Sequence, residues 1–138
     1  MKEPLKTLER VKKFEIDEQR RILTQKLNHE ETLQKQLQNL IEEYEKEKEF
    51  VEQNPTICDF GAYTEQYIKK RRALEKEIAD IQAEIEQIRD VMAAIFKDQK
   101  TYEIVMEKRK KSKQKEFDNQ EVKLLDEVGT NAYIKKHQ

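Results

Sequence analysis

Leu74-Glu75-Lys76-Glu77-Ile78-Ala79-Asp80-Ile81-Gln82-Ala83-Glu84-Ile85-Glu86-Gln87-Ile88-Arg89-Asp90-Val91-Met92-Ala93-Ala94-Ile95 is the stretch that decides the fold. Its large apolar residues Leu74, Ile78, Ile81, Ile85, Ile88, Met92 and Ile95 follow one another at alternating four- and three-residue steps. That is a heptad seam, the spacing that lets one helix lie along another over a long distance. It predicts a rod of helices, an object that acts by touching partners rather than by enclosing a substrate.

Composition agrees. The 138 residues are 41% charged and 36% hydrophobic, with a mean hydropathy of −1.08. So little apolar surface leaves intrinsic disorder or helices that bury a narrow stripe. The periodicity decides for helices, as do two Gly, two Pro, no Trp and an abundance of Glu, Lys, Gln, Leu and Ile. Twenty-eight Lys and Arg against 29 Asp and Glu give a net charge of −1, which argues against bulk nucleic-acid binding. Cys58 is the only cysteine, so a reducing compartment is the default expectation. Residues 1–13 carry Leu5, Leu8 and Val11 but no apolar run, so no signal peptide is expected. The run at 91–96 is too short to span a bilayer. A soluble, cytoplasmic protein is expected.

Outward from the seam, the chain reads as one hairpin: a helix over about 4–52, a bend over about 53–60, a helix over about 60–126, and a frayed tail at 127–138. Pro4 suits a first helical turn, where its missing N–H costs nothing. The first helix carries Leu5, Leu8, Val11, Ile16, Leu23, Leu27, Leu33, Leu37, Leu40, Ile41 and Tyr44 on a stripe that drifts, with Arg20 and Glu30 where apolar residues are expected. The pattern breaks at Asn54-Pro55-Thr56-Ile57-Cys58-Asp59-Phe60-Gly61. Pro55 disfavours helix at Asn54, while Thr56 with Asp59, or Asp59 alone, can cap a new helix at Phe60. The second seam begins near Tyr63 and Tyr67 and ends at Tyr102 and Met106. Glu42 with Lys46, Glu65 with Lys69 and Glu107 with Lys111 are spaced for i, i+4 pairs. The second helix is the longer, so closure at Pro55 leaves it overhanging from about Glu107. The expected fold is an all-α, antiparallel two-helix coiled-coil hairpin.

Catalytic motifs are weak. His29-Glu30-Glu31-Thr32-Leu33 opens like a zinc-protease motif but lacks the second histidine, and His137 is far away. Cys58 has no histidine near it in sequence to act as its base. Two isolated glycines make no phosphate loop. No enzyme activity, cofactor or metal is expected. Two surfaces remain. Lys108-Arg109-Lys110-Lys111-Ser112-Lys113-Gln114-Lys115 reads either as a solvated face balanced by Glu103, Glu107, Glu116, Asp118 and Glu121, or as a site for an acidic protein, anionic lipid or nucleic acid. Tyr44, Phe50, Phe60, Tyr63 and Tyr67 gather near the bend, as a plug for its irregular end or as a docking patch.

The layout as a whole resembles a known family. Leu5 to Val11 opens amphipathically, Ile16-Asp17-Glu18-Gln19-Arg20-Arg21-Ile22-Leu23 follows, and the first helix ends in Glu42-Glu43-Tyr44-Glu45-Lys46-Glu47. A Pro-containing bend leads to Tyr63 and Tyr67, then to Leu74-Glu75-Lys76-Glu77-Ile78, to Lys100-Thr101-Tyr102-Glu103 and to a closing Leu124-Leu125-Asp126-Glu127. Length, single bend and unequal arms resemble the FliJ family of flagellar type III export proteins and its injectisome relatives. The resemblance implies a non-catalytic stalk, similar to the central stalk of rotary ATPases. Such a stalk enters the hexameric export ATPase, promotes its assembly, links it to the membrane export gate and handles chaperones of late substrates. It would sit in the cytoplasm against the inner face of the membrane at the flagellar base. On these residues, the inserted end would pair residues 5–16 with residues 100–115, including Lys108, Arg109, Lys110 and Lys111. The gate-facing patch would be an exposed face around Leu37, Leu40, Tyr44, Tyr67 and Leu74.

Three other readings stay open: a structural coiled coil that dimerises in parallel with the bend straightened, a chaperone-like holder, and a weak nucleic-acid or lipid binder using residues 108–115. Isoleucine at both seam positions is compatible with the first. Prefoldin-like holders need β-hairpins for which the eight residues at 54–61 leave no room.

Overall fold

The computed structural model describes residues 4–55 and 59–136. Two helices, α1 (Pro4–Gln53, 50 residues) and α2 (Phe60–Lys136, 77 residues), pack against each other as an all-α two-helix hairpin. Among the described residues there is no strand. Thr56, Ile57 and Cys58 of the bend, and His137 of the tail, lie outside the described residues.

Local chemistry explains the ends. The Asn54 N–H donates to the carbonyl oxygens of Phe50 (3.0 Å) and Val51 (3.2 Å), and its side-chain amide donates to Phe50 O as well (3.1 Å). These bonds satisfy carbonyls that the end of a helix leaves orphaned, and Pro55 then prevents continuation. Asp59 caps α2: its Oδ1 accepts from the N–H groups of Gly61 (3.1 Å) and Ala62 (3.4 Å). A cap of this kind contributes about 1 kcal/mol.

The packing forms two units, Phe14–Ile95 and Met1–Lys13 with Phe96–Gln138, each holding part of both helices. In the first unit the core is Leu33 of α1 against Ile78, Ile81 and Ile85 of α2, with Leu23, Leu37 and Leu74 packed around them. Ile16, Tyr67 and Ile95 are also buried. Full burial of an isoleucine or leucine is worth about 1.5–3 kcal/mol, so these few side chains carry much of the unit's stability. The α2 seam runs Phe60, Thr64, Tyr67, Leu74, Ile78, Ile81, Ile85, Ile88, Met92, Ile95, all buried or half-buried. Tyr63, placed on this seam from the sequence, is instead 39% exposed beside it. Stepping back from Tyr67 by three and four residues lands on Thr64 and Phe60.

The α1 stripe does not drift. Its half-buried and buried positions in this unit include Ile16, Gln19, Leu23, Lys26, Glu30, Leu33, Leu37, Leu40 and Tyr44, again in steps of three and four. Gln19 occupies the seam position, and Arg20 is exposed beside it. The stripe looks irregular in sequence because polar residues fill some of its positions. Lys26 Nζ reaches Glu84 (2.8 Å), and Gln82 Nε2 donates to Glu30 Oε1 (3.3 Å). Such half-exposed polar pairs add little energy, but they disfavour other registers.

In the other unit, Lys12 pairs with Asp98 (3.6 Å). The position numbers of that pair add to 110, which sets Pro4 opposite Met106. From about Glu107 onward α2 therefore has no described α1 residue opposite it, and every residue over 107–135 is exposed. α2 also runs past the expected end near residue 126, to Lys136. Gly129, inside this continuation, has no positive φ and serves as no left-handed cap. A glycine inside a helix costs only about 1 kcal/mol, which does not by itself end one.

Candidate functional site

The five residues assigned to a gate-facing patch do not form an exposed face. Tyr67 is 9% exposed, and Leu37, Leu40, Tyr44 and Leu74 are half-buried. The reason is register: all five occupy seam positions. Leu37 and Leu74 pack on the Leu33–Ile78–Ile81–Ile85 core. Leu40 and Leu74 stay reachable at the floor of a shallow open groove bordered by Gln36, Glu43, Lys70 and Glu77. Of the seam residues, Ile78, Ile81, Ile85 and Ile95 are buried, while Ile88, Met92 and Leu74 are half-buried.

Around Tyr44 the aromatics form a stack. Its ring lies 3.9 Å from that of Tyr67, nearly parallel, with Phe60 at 5.4 Å and Tyr63 at 6.1 Å. The Tyr44 and Thr64 hydroxyls are 3.2 Å apart, and Arg71 Nη1 donates to the Tyr67 hydroxyl (2.9 Å) while its Nε donates to Glu75 (2.8 Å). Burial, then the Glu47 and Glu43 carboxylates, push the Tyr63 phenol above its usual range. The stack closes the bend end of the unit, as the plug reading expects. Phe50, at 49% exposed, points elsewhere.

Lys108, Arg109, Lys110 and Lys111 are all exposed on the free part of α2. A shallow groove brings Arg109, Lys110 and Lys113 near Lys6 and Glu9 of α1, with Glu103, Met106 and Glu107. A second open groove, along α2 alone, is lined by Lys100, Glu103, Ile104, Glu107, Lys108 and Lys111. Sequence reading missed how far the positive charge extends. Residues 4–13 and 96–115 hold twelve Lys and Arg against four Asp and Glu, a net +8. Residues 14–95 hold twelve against nineteen, a net −7. Counting charge by unit shows the same contrast: residues 1–13 with 96–138 hold sixteen Lys and Arg against ten Asp and Glu, a net +6.

Both grooves are shallow and open to solvent. Among the described residues no cluster of three His, Cys, Asp or Glu is arranged to hold a metal ion, and no helix is long and apolar enough to cross a membrane. The arrangement leaves a charged surface exposed, while the aromatic rings stack on one another. Comparison with known protein families, with curated proteins and with solved structures found no match.

Proposed function

We propose that this protein is a non-catalytic stalk of the FliJ type, which engages the hexameric flagellar export ATPase, promotes its assembly and activity, and links it to the membrane export gate and to chaperones of late substrates. The observation that carries the reading is the paired end of the hairpin. There the start of α1 lies beside residues 96–106 of α2, a cationic helix runs on past it, and net charge reaches +8 over residues 4–13 and 96–115. A helix pair has a cross-section of about two helix diameters, each ~10–12 Å, narrow enough to enter a protein ring. Exposed charges engage ring loops without strong adhesion, because each surface pair is worth about 1 kcal/mol or less. That suits a part which must shift rather than lock. Place and partners follow from the same reading: the cytoplasmic face of the membrane at the flagellar base, or at the base of an injectisome.

The ATPase rate tests it. Adding the protein to the hexameric flagellar export ATPase of its source organism should raise ATP hydrolysis, and reversing the charge of Lys110 and Lys111 should weaken the effect. An unchanged rate together with no binding to the ATPase removes the stalk reading and leaves the hairpin.

A further inference from the structure

One face of α2 orders lysines in a way that the stalk reading, which treats them only as part of a cationic end, leaves unexplained. Lys97, Lys100, Ile104, Lys108, Lys111 and Lys115 follow each other at steps of three or four and are all exposed. At 3.6 residues per turn they form one line, on the side of α2 away from its seam positions Gln99, Tyr102 and Met106. The line is about 27 Å long at ~1.5 Å per residue. Glu103 and Glu107 border it; Glu103 lies 4.0 Å from Lys100.

We infer that this lysine line is a docking surface for an anionic lipid bilayer, on which the helix lies flat. Three observations favour a bilayer. A straight helix face sets five ammonium groups along one plane, which fits a flat charged surface. Lysines are compact point charges on long apolar stems, and with Ile104 between them the stems can lie on the headgroup boundary while the charges reach phosphate. The line also lacks the features that single-stranded nucleic acid and specific protein partners use. It carries no aromatic residue to stack on bases, and apart from Ile104 no apolar anchor of the kind that fixes a specific protein interface. A bilayer needs neither, because attraction to its surface sums over lysines. The Phe117, Leu124 and Val128 side chains lie on a different face of α2, so binding is electrostatic and shallow.

This inference goes beyond the stalk reading and does not depend on it, since its test contains no ATPase. Where both hold, ring and bilayer compete for the same lysines. The full-length protein is sedimented with vesicles containing about 30% phosphatidylglycerol in phosphatidylcholine, at about 50 mM salt. It should bind there, release at roughly 300 mM salt, and fail to bind pure phosphatidylcholine. Lys108→Glu, Lys111→Glu and Lys115→Glu together should weaken binding roughly 100-fold or more, since each lysine at an anionic surface is worth about a factor of five. Lys69→Glu, Lys70→Glu and Lys76→Glu together, away from the line, should have a smaller effect, and circular dichroism should show both triple variants fully helical. Equal binding to both vesicle types, full binding by the first triple variant, or capture of duplex DNA without vesicle binding overturns the inference.

Discussion

Ile85 is 3% exposed and belongs to the core cluster of its unit with Leu33, Ile78 and Ile81, so its fate reports directly on the seam. A carboxylate there would be buried without a partner, a cost of several kcal/mol against a seam only a few side chains wide. Replacing Ile85 and Ile88 with Asp should abolish most of the helical signal in circular dichroism, whereas Lys110→Glu with Lys111→Glu should leave it unchanged. Full helicity in the isoleucine variant would mean that the seam is drawn wrongly. The same packing logic governs the tyrosines. Tyr44 and Tyr67 resemble docking residues by type, yet their rings stack on each other at 3.9 Å and that contact uses the face a partner would need.

Both helices and their bend are legible in sequence because strong local signals coincide: heptad steps over Leu74 to Ile95, Pro55 after Asn54, and Asp59 placed to cap Phe60. The α1 seam is harder to read, since counting apolar residues passes over Gln19, Lys26 and Glu30, which occupy half-buried seam positions, the last two reaching Glu84 and Gln82 across the pair. The end of α2 is misread for a different reason. A frayed tail is expected from residue 127, yet α2 continues to Lys136, and its Gly129 adopts no left-handed conformation that would end it. A Cβ at Gly129 would meet nothing within 4 Å. Gly129→Ala should therefore strengthen α2 locally by about 1 kcal/mol, read as higher helicity and slower proteolysis beyond residue 125. Unchanged helicity and cleavage would place the end of α2 before that residue. The candidate patch was legible as a set of residues but not as a surface, because spacing identifies a stripe without saying which of its members a facing helix covers.

At the scale of the whole molecule, the near-zero net charge conceals two units of opposite sign, −7 over residues 14–95 and +6 over residues 1–13 with 96–138, where the positive charge is concentrated in 4–13 and 96–115. That is why a whole-chain charge count argues against anion binding while the charge of one unit favours it. All of this rests on the hairpin. Its alternative, a straightened chain pairing in parallel with a second copy, would use the same heptads. Glu30 and Gln82, hydrogen-bonded across the helices although 52 positions apart in sequence, separate the two. Spin labels on cysteines at these positions, in a Cys58→Ser background, should report a short distance within a single chain, and a label at position 30 alone should report none. A continuous helix would hold positions 30 and 82 about 78 Å apart within the chain, and parallel pairing would bring two position-30 labels together; that result would contradict the hairpin.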